Sequence, residues 1–125
     1  MTVYLVDDDA EEAELFTDAV HTVNQSIKVV WFSDVMEALE SLLKELHQPT
    51  ILFLDLNLPK VSGKDLLRLL RQNTLTAHLP VVIYSTTISK RDMDDTAPYQ
   101  VKAYLQKPEN FQALCDKLRE VIEAV

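Results

Sequence analysis

Four large apolar residues and a carboxylate follow one another in Ile51-Leu52-Phe53-Leu54-Asp55. An apolar run without alternation indicates a strand that is covered on both faces of its sheet. Pro59 and Gly63 come shortly afterwards and indicate a loop. A carboxylate at the end of a buried strand is held rigidly, yet it faces solvent where the chain leaves the sheet. Asp55 therefore occupies a position suited to a reactive or metal-binding oxygen.

Three other predicted strands are also followed by polar side chains that can carry chemistry. They are Val3–Val6, followed by Asp7-Asp8-Asp9; Pro80–Tyr84, followed by Ser85; and Val101–Leu105, followed after one residue by Lys107. In open α/β sheets, ligands bind outside the carboxyl ends of the strands. If these strands are parallel, their polar side chains converge with Asp55 on one edge of one sheet.

Segments with helical spacing of apolar residues alternate with the strands. A further strand is predicted at Ile27–Phe32, and helices are predicted over 11–23, from Ser33 or Asp34 to Leu46, around Leu66–Leu70, from Ser89 to about Thr96, and over 111–125. Five strands alternating with five helices predict an α/β fold, a parallel sheet with helices on both faces. The alternation alone leaves the strand order open.

Local signals mark where two of these helices begin. Asp9 with Glu12, and Ser89 with Asp92, have the spacing of residues that cap helix N-termini. The helix after Ser89 is unusual because it offers only Met93 and Ala97 to a core. We expect it to be among the least stable elements of the fold.

Size and charge restrict the possible functions. A chain of 125 residues suits one domain, and we treat residues 1–125 as a single unit. The formal net charge is −8, from 20 acidic and 12 basic side chains. Such a field repels nucleic acids and anionic lipids, so no nucleic-acid or membrane partner is expected. The N-terminus lacks the pattern of a signal peptide, and a cytoplasmic location is expected.

Several sites that need particular residues are not expected. Gly63 is the single glycine, whereas phosphate-binding and dinucleotide-binding loops need several. The single cysteine, Cys115, cannot form an internal disulfide and falls on the apolar face of the last helix. The three histidines lie near element ends or in polar stretches and are predicted to be exposed: His21, His47 and His78.

The acids at the predicted edge are suited to holding a divalent cation. Asp7, Asp8 and Asp55 would repel one another without positive charge between them. Asn57 adds a nearby carbonyl oxygen. A few such oxygens completed by water suit Mg²⁺, which commonly shares a phosphoryl oxygen.

The other two side chains at this edge are suited to a phosphoryl group. Lys107 would place a compact positive charge against it, and Ser85 could donate a hydrogen bond to another of its oxygens. With the charge neutralised, Asp55 could attack phosphorus and form an aspartyl phosphate. Each feature has a common structural explanation by itself, such as helix capping or a turn, so the prediction depends on their convergence.

Four motifs of the chain are those of one known family. They are Leu5-Val6-Asp7-Asp8-Asp9; Leu54-Asp55-Leu56-Asn57-Leu58-Pro59 with Gly63; Pro80-Val81-Val82-Ile83-Tyr84-Ser85; and Tyr104-Leu105-Gln106-Lys107-Pro108. Over essentially its whole length, the sequence resembles the receiver domain of two-component response regulators. The resemblance implies a doubly wound, flavodoxin-like parallel sheet with strand order 2-1-3-4-5.

The resemblance also implies a role for each site residue. Asp55 would be the phosphoacceptor, charged by a sensor histidine kinase or a histidine phosphotransfer protein. Asp8 would bind Mg²⁺ directly, Asp7 through water and Asn57 through its backbone carbonyl. Phosphoryl oxygens would be bound by Ser85 and Lys107. The peptide bond before Pro108 would be cis, and Tyr104 would be an aromatic switch that forms an output face with the fourth helix and the fifth strand.

The chain departs from the usual family pattern at three positions. Thr86 replaces a small residue after Ser85, which is expected to restrict water and prolong the phosphorylated state. Val35 stands where a turn glycine is common, which puts the geometry of that turn in doubt. Ala103 replaces a frequent glycine before Tyr104, a milder change.

Two alternative functions remain open at this point. One is a receiver-like interaction module that is never phosphorylated, against which the complete set of site residues argues. The other is a small Mg²⁺-dependent phosphatase with an aspartate nucleophile, although such enzymes typically carry a second aspartate where Asn57 stands here. We expect a signalling module that contacts a downstream protein target. It is not expected to be a metabolic enzyme, although it would catalyse its own phosphorylation and contribute to its own dephosphorylation.

Overall fold

The computed structural model describes residues 1–44, 48–58 and 62–125. Its strands are β1 (Thr2–Val6), β2 (Lys28–Phe32), β3 (Ile51–Leu54), β4 (Val81–Ser85) and β5 (Ala103–Gln106). Its α-helices are α1 (Ala10–Val23), α2 (Val35–Lys44), α3 (Gly63–Gln72), α4 (Lys90–Thr96) and α5 (Phe111–Glu123), and a short 3₁₀ helix, Ala97–Tyr99, follows α4. The predicted helix end at Leu46, the exposure of His47 and the loop residue Pro59 lie outside the described residues.

The five strands form one parallel sheet in the order β2-β1-β3-β4-β5. This confirms the predicted fold class and the strand order that the family resemblance implied. The register pairs Val6 with Leu54 and Ser85 with Gln106. Asp7 and Asp55, which follow Val6 and Leu54, therefore leave the sheet side by side. We call this side of the sheet, where the carboxyl ends of the strands lie, the carboxyl edge.

Helices cover both faces of the sheet. One core lies between the sheet and the pair α1 and α5, and includes Phe16, Phe53 and Tyr84. The second core lies between the opposite face and helices α2 and α3, and includes Leu42 and Leu67. All residues of β3 and β4 are buried. The uniformly apolar strands are therefore explained by burial on both sides.

The predicted helix starts are confirmed by side-chain hydrogen bonds. Asp9 caps α1 and accepts from the backbone N–H groups of Glu11 and Glu12. Ser89 and Asp92 form a reciprocal capping box at α4. At the start of α2, the Asp34 carboxylate accepts from the Met36 N–H at 2.7 Å. Each cap satisfies an N–H that has no partner within its helix.

Gly63 allows α3 to begin directly against the end of β3. A Cβ at this position would lie 2.4 Å from the Asp55 carbonyl oxygen and 2.9 Å from the Leu56 Cα. Both neighbours are backbone atoms, so a side chain could be accommodated only if the main chain moved. The requirement for glycine here is therefore close approach, and it fixes the position of α3 relative to the phosphoacceptor candidate.

The α4 helix is attached differently from the sequence prediction. Met93 is 43% exposed and Ala97 is exposed, so the expectation that these two residues face a core is wrong. The buried residue is Thr96, whose hydroxyl donates to the Asp92 carbonyl at 2.7 Å. A helix with so few apolar residues uses a small polar side chain that its own backbone can satisfy.

Ion pairs join α4 to the start of α3. The Lys64 ammonium lies 2.8 Å from an Asp92 carboxylate oxygen and 2.9 Å from an Asp95 carboxylate oxygen. The hydrogen bond from Lys64 lowers the pKa of the Asp92 carboxyl, and the capping bond from the Ser89 N–H lowers it further. Partly exposed pairs of this kind contribute little stability each.

The structure decides four local expectations. The peptide bond between Lys107 and Pro108 is trans, and the described residues contain no cis bond, so the expected cis bond is wrong. The trans form is intrinsically favoured by about 0.5–1 kcal/mol before proline. Val35 begins α2, is buried and has no positive φ, so its backbone does not need the freedom of a glycine. Cys115 is buried, and both His21 and His78 are exposed, as predicted.

Within residues 1–44, 48–58 and 62–125, none of the helices has the length and apolar character needed to cross a bilayer.

We expect the backbone amides of α4 to exchange with solvent faster than those of α5. The reason is that α4 buries only Thr96, whereas α5 buries four residues: Leu114, Cys115, Leu118 and Ile122. Native-state hydrogen exchange followed by NMR checks this. Lys64→Met should accelerate exchange in α4 and leave α5 unchanged, while equal protection of the two helices in the unmodified protein would contradict the expectation.

Candidate functional site

Four of the predicted site residues meet at the carboxyl edge through side-chain hydrogen bonds. The Ser85 hydroxyl donates to Asp55 Oδ1 at 2.9 Å. The Lys107 ammonium group donates to Asp7 Oδ2 at 2.6 Å and to Asp55 Oδ2 at 3.3 Å. Asp55 therefore lies between a hydroxyl donor and a cation, although these groups are 30 and 52 residues away in the chain.

The backbone hydrogen bonds of the sheet continue into this site and fix the main-chain positions of its residues. The Asp55 N–H donates to the Val6 carbonyl at 3.0 Å, and the Lys107 N–H donates to the Ser85 carbonyl at 2.8 Å. Asp7 and Ser85 are fully buried, and Asp55 is 5% exposed. The polar groups are therefore anchored by the backbone of the sheet.

Asp8 completes a cluster of three carboxylates. Asp7, Asp8 and Asp55 each place one ligand oxygen within 4.8 Å of the others. Asp8 is exposed, whereas its two companions are buried. A hard divalent cation such as Mg²⁺ prefers carboxylate oxygens and retains several waters. The donor set and the open side at Asp8 fit such an ion.

The electrostatics of the cluster favour a further positive charge. Burial raises the pKa of the Asp7 carboxyl, and the neighbouring Asp55 charge acts in the same direction, against hydrogen bonds from Lys107 and the Asp9 N–H. Burial opposes the charged form of Lys107, but its hydrogen bonds and attraction to Asp7 and Asp55 outweigh this and raise the pKa of the ammonium group. The Lys107 ammonium group contacts two of the three carboxylates of the cluster, and a divalent cation would relieve the remaining repulsion.

Asn57 belongs to the same hydrogen-bond network. Its backbone N–H donates to Asp55 Oδ1 at 2.9 Å, and its side-chain amide donates to the Ser85 hydroxyl oxygen at 3.0 Å. Asn57 therefore helps to orient both the phosphoacceptor candidate and the hydroxyl. The metal-binding role expected for its backbone carbonyl stays a prediction.

Tyr104 connects β5 to α4. It is half-buried, and its hydroxyl lies 2.7 Å from the Thr96 Oγ1 and 3.4 Å from the Met93 carbonyl oxygen. Its role as a switch stays a prediction.

Two aromatic residues at the site were not predicted from the sequence. The Trp31 indole N–H donates to the Asp7 carbonyl at 2.6 Å, from a ring that is 41% exposed on the edge strand β2. The Tyr84 ring lies beneath Lys107, with the Nζ atom 5.2 Å from the ring centroid. Both residues stand within apolar runs that indicate strands, so nothing in the local pattern distinguished them from core residues.

The environment keeps the Tyr84 side chain neutral. Burial raises the pKa of its hydroxyl, and the negative charges of Glu12, Asp7 and Asp55 raise it further. The ring that faces Lys107 therefore carries no charge at ordinary pH.

Thr86, which directly follows Ser85, is exposed.

A doubly wound sheet with acids, a hydroxyl and an ammonium group at its carboxyl edge is the arrangement of a receiver domain. The sequence profile described as "Response regulator receiver domain" matches residues 3–119. The chain therefore belongs to the receiver-domain family of two-component signalling, and the acidic pocket at Asp7, Asp8 and Asp55 is consistent with a phosphoacceptor and metal site.

Individual relatives agree with this assignment. The protein named "Probable methanogenesis regulatory protein FilR2", from Methanothrix harundinacea, is 30% identical over 97% of this chain and 81% of its own length. The phosphorylated cyanobacterial phytochrome response regulator RcpA superposes with a TM-score of 0.88 at 28% identity, covering 98% of this chain and 91% of RcpA. The Mn²⁺-bound response regulator Rcp1 gives a TM-score of 0.83 at 25% identity, covering 96% and 90% of the two chains.

We expect Mg²⁺ to raise the melting temperature, because an ion bound by the native acid cluster stabilises the folded state. At a concentration about 100 times its Kd, the gain would be roughly 2.7 kcal/mol. Thermal unfolding followed by circular dichroism, with NaCl at matched ionic strength as the control, measures it. Asp8→Asn should abolish most of the shift, because it removes one of the three carboxylates that would bind the ion. Asp8 is exposed, so the substitution costs little packing. An equal shift in the Asp8→Asn variant would contradict the assignment.

Proposed function

We propose that Asp55 accepts a phosphoryl group and that Asp7, Asp8 and Asp55 hold the Mg²⁺ that assists the transfer. The observation that carries this proposal is the position of the Asp55 carboxylate, between the Ser85 hydroxyl at 2.9 Å and the Lys107 ammonium at 3.3 Å. A carboxylate with a cation and a donor on either side is suited to accept a group whose charge is spread over several oxygens.

The proposed transfer is a displacement at phosphorus. An Asp55 carboxylate oxygen forms a bond to the phosphorus atom as the bond to the donor breaks, and the leaving group takes the electron pair of that bond and then a proton. For a phosphohistidine donor the broken bond is P–N, and the neutral imidazole is released. When bound, Mg²⁺ supplies positive charge against the phosphoryl oxygens.

The residues around Asp55 then bind the product. Lys107 exchanges part of its contact with Asp55 for a phosphoryl oxygen, since its ammonium already lies at that carboxylate. Ser85 turns its hydroxyl from Asp55 Oδ1 toward another phosphoryl oxygen. The Asn57 amide, which donates to the same hydroxyl oxygen, follows this movement. All three of these groups already lie at the carboxyl edge.

The partners follow from the family. We infer a sensor histidine kinase or a histidine phosphotransfer protein as the phosphoryl donor, and a downstream protein target for the output. The structures of phosphorylated RcpA and Mn²⁺-bound Rcp1 support extending phosphorylation and divalent-metal binding to this chain. We treat residues 1–125 as one receiver domain, and a cytoplasmic location stays a prediction.

We place the output at α4, β5 and Tyr104. Thr96 and Tyr104 share a hydrogen bond of 2.7 Å between their hydroxyl groups, so a rotation of the tyrosine ring would remove a link between the two elements. The small buried surface of α4 allows it to move at low cost. A change at Ser85 would reach β5 directly, because Ser85 is paired with Gln106 in the ladder.

Intact mass spectrometry after incubation with acetyl phosphate and Mg²⁺ tests the proposal. We expect one added phosphoryl group on the unmodified chain and none on Asp55→Asn, because that change removes the nucleophilic oxygen. Asp116→Asn is the matched control, since it removes an exposed carboxylate on α5, and it should be phosphorylated normally.

The other outcomes identify the alternatives. A folded chain that takes up no phosphoryl group would favour an interaction module without phosphorylation. Steady release of phosphate from a phosphomonoester, lost in Asp55→Asn, would favour a phosphatase. Incorporation that persists in Asp55→Asn would contradict Asp55 as the acceptor.

We expect the aspartyl phosphate to be long-lived compared with that of fast chemotaxis-type receivers, because Thr86 restricts the approach of water. Thr86→Ala should accelerate hydrolysis severalfold, measured as the decay of the phosphorylated mass in excess Mg²⁺. Thr87→Ala is the matched control, since Thr87 is also exposed but one residue further from Ser85. Rapid decay in the unmodified protein, or equal effects of the two substitutions, would contradict this expectation.

A further inference from the structure

The ammonium group of Lys107 has an aromatic neighbour in addition to its two carboxylates. Its Nζ lies 5.2 Å from the centroid of the Tyr84 ring, within the distance at which a cation is attracted to an aromatic face. The Lys107 side chain is only 8% exposed. An ammonium group that is largely removed from water gains more from such a face than an exposed one does.

The ring is held in a fixed position by its surroundings. Tyr84 is 1% exposed, and its ring lies 5.4 Å from the Phe16 ring and 6.2 Å from the Phe53 ring, the latter at an interplanar angle of 90°. Phe16 and Phe53 also contact each other edge to face at 5.0 Å. Phe16 on α1 and Phe53 on β3 therefore hold the Tyr84 ring in place beneath Lys107.

We infer that Tyr84 is a positioning residue for Lys107: its aromatic face holds the ammonium group at the carboxyl edge without using the oxygens needed by a ligand. This inference rests on the proposed role of Lys107 in binding the phosphoryl group. Lysine has a flexible four-carbon stem, so its orientation depends on what its ammonium group contacts.

A neutral aromatic neighbour matters because Lys107 and a ligand would compete for the same carboxylate oxygens. The hydrogen-bond partners of Lys107 are Asp7 and Asp55, which belong to the cluster that would bind a cation and accept the phosphoryl group. When those oxygens are occupied, both contacts of the ammonium group are weakened. The Tyr84 ring is not a ligand for either guest, so its attraction for Lys107 persists.

Substitutions at position 84 test the inference through the initial rate of Asp55 phosphorylation by acetyl phosphate. Tyr84→Phe keeps the aromatic face and should retain the rate. Tyr84→Leu removes the face and should lower the rate about threefold to thirtyfold. Tyr4→Leu is the matched control, because it makes the same change at a buried tyrosine of the opposite core, whose ring contacts Phe32. Equal rates in Tyr84→Leu and Tyr4→Leu would overturn the inference.

A graded series separates the aromatic attraction from simple packing. Phenylalanine with one, two or three fluorine atoms, placed at position 84, keeps the ring shape while it weakens the negative face. The rate should fall stepwise with each fluorine, and a flat series would overturn the inference. This series also serves if Tyr84→Leu does not fold.

A spectroscopic measurement is independent of phosphorylation. In the unmodified chain, the terminal methylene protons of Lys107 should resonate upfield through the ring current of Tyr84, and Tyr84→Phe should retain that shift. A shift at the position of an exposed lysine would overturn the inference. If the shift is present but Asp55 accepts no phosphoryl group, the proposed function fails while the placement of Lys107 by Tyr84 stands.

Discussion

Repulsion between buried carboxylates is the constraint around which this molecule is organised. Asp7 and Asp55 leave neighbouring strands side by side, and both are almost completely removed from water. Two such charges are costly unless a cation lies between them. Lys107 meets this need, and it comes from a strand that is not adjacent to either acid. The edge strand β5 is thereby tied electrostatically to the centre of the sheet.

The parallel register makes this arrangement possible without long loops. Lys107 and Asp7 are 100 residues apart in the sequence, yet their side chains lie 2.6 Å apart because both follow strand ends on the same edge. Gly63 adds a second constraint, since it brings α3 against the Asp55 carbonyl. The site is thus built from residues that directly follow the strands of the sheet.

The sequence was informative wherever a local signal coincided with burial. The apolar runs located the strands, and the residue after each run located Asp7, Asp55 and Ser85. Alternation could not order the strands, because that order depends on packing between distant segments; the family resemblance supplied it. The attachment of α4 was mispredicted because Thr96 satisfies its own hydroxyl within the helix, which apolar spacing cannot reveal. The contacts of Tyr84 and Trp31 depend on register across strands, and no spacing within one segment encodes them.

The hydrogen bond between the Trp31 indole and the Asp7 carbonyl has a practical consequence. Trp31 is the single tryptophan of the chain, and its ring is partly open to solvent. When tryptophan is excited selectively, the fluorescence therefore comes from one residue. Its indole is hydrogen-bonded to the Asp7 backbone carbonyl in the acid cluster. The protein carries an intrinsic optical probe beside its carboxyl edge, with no label or added chromophore.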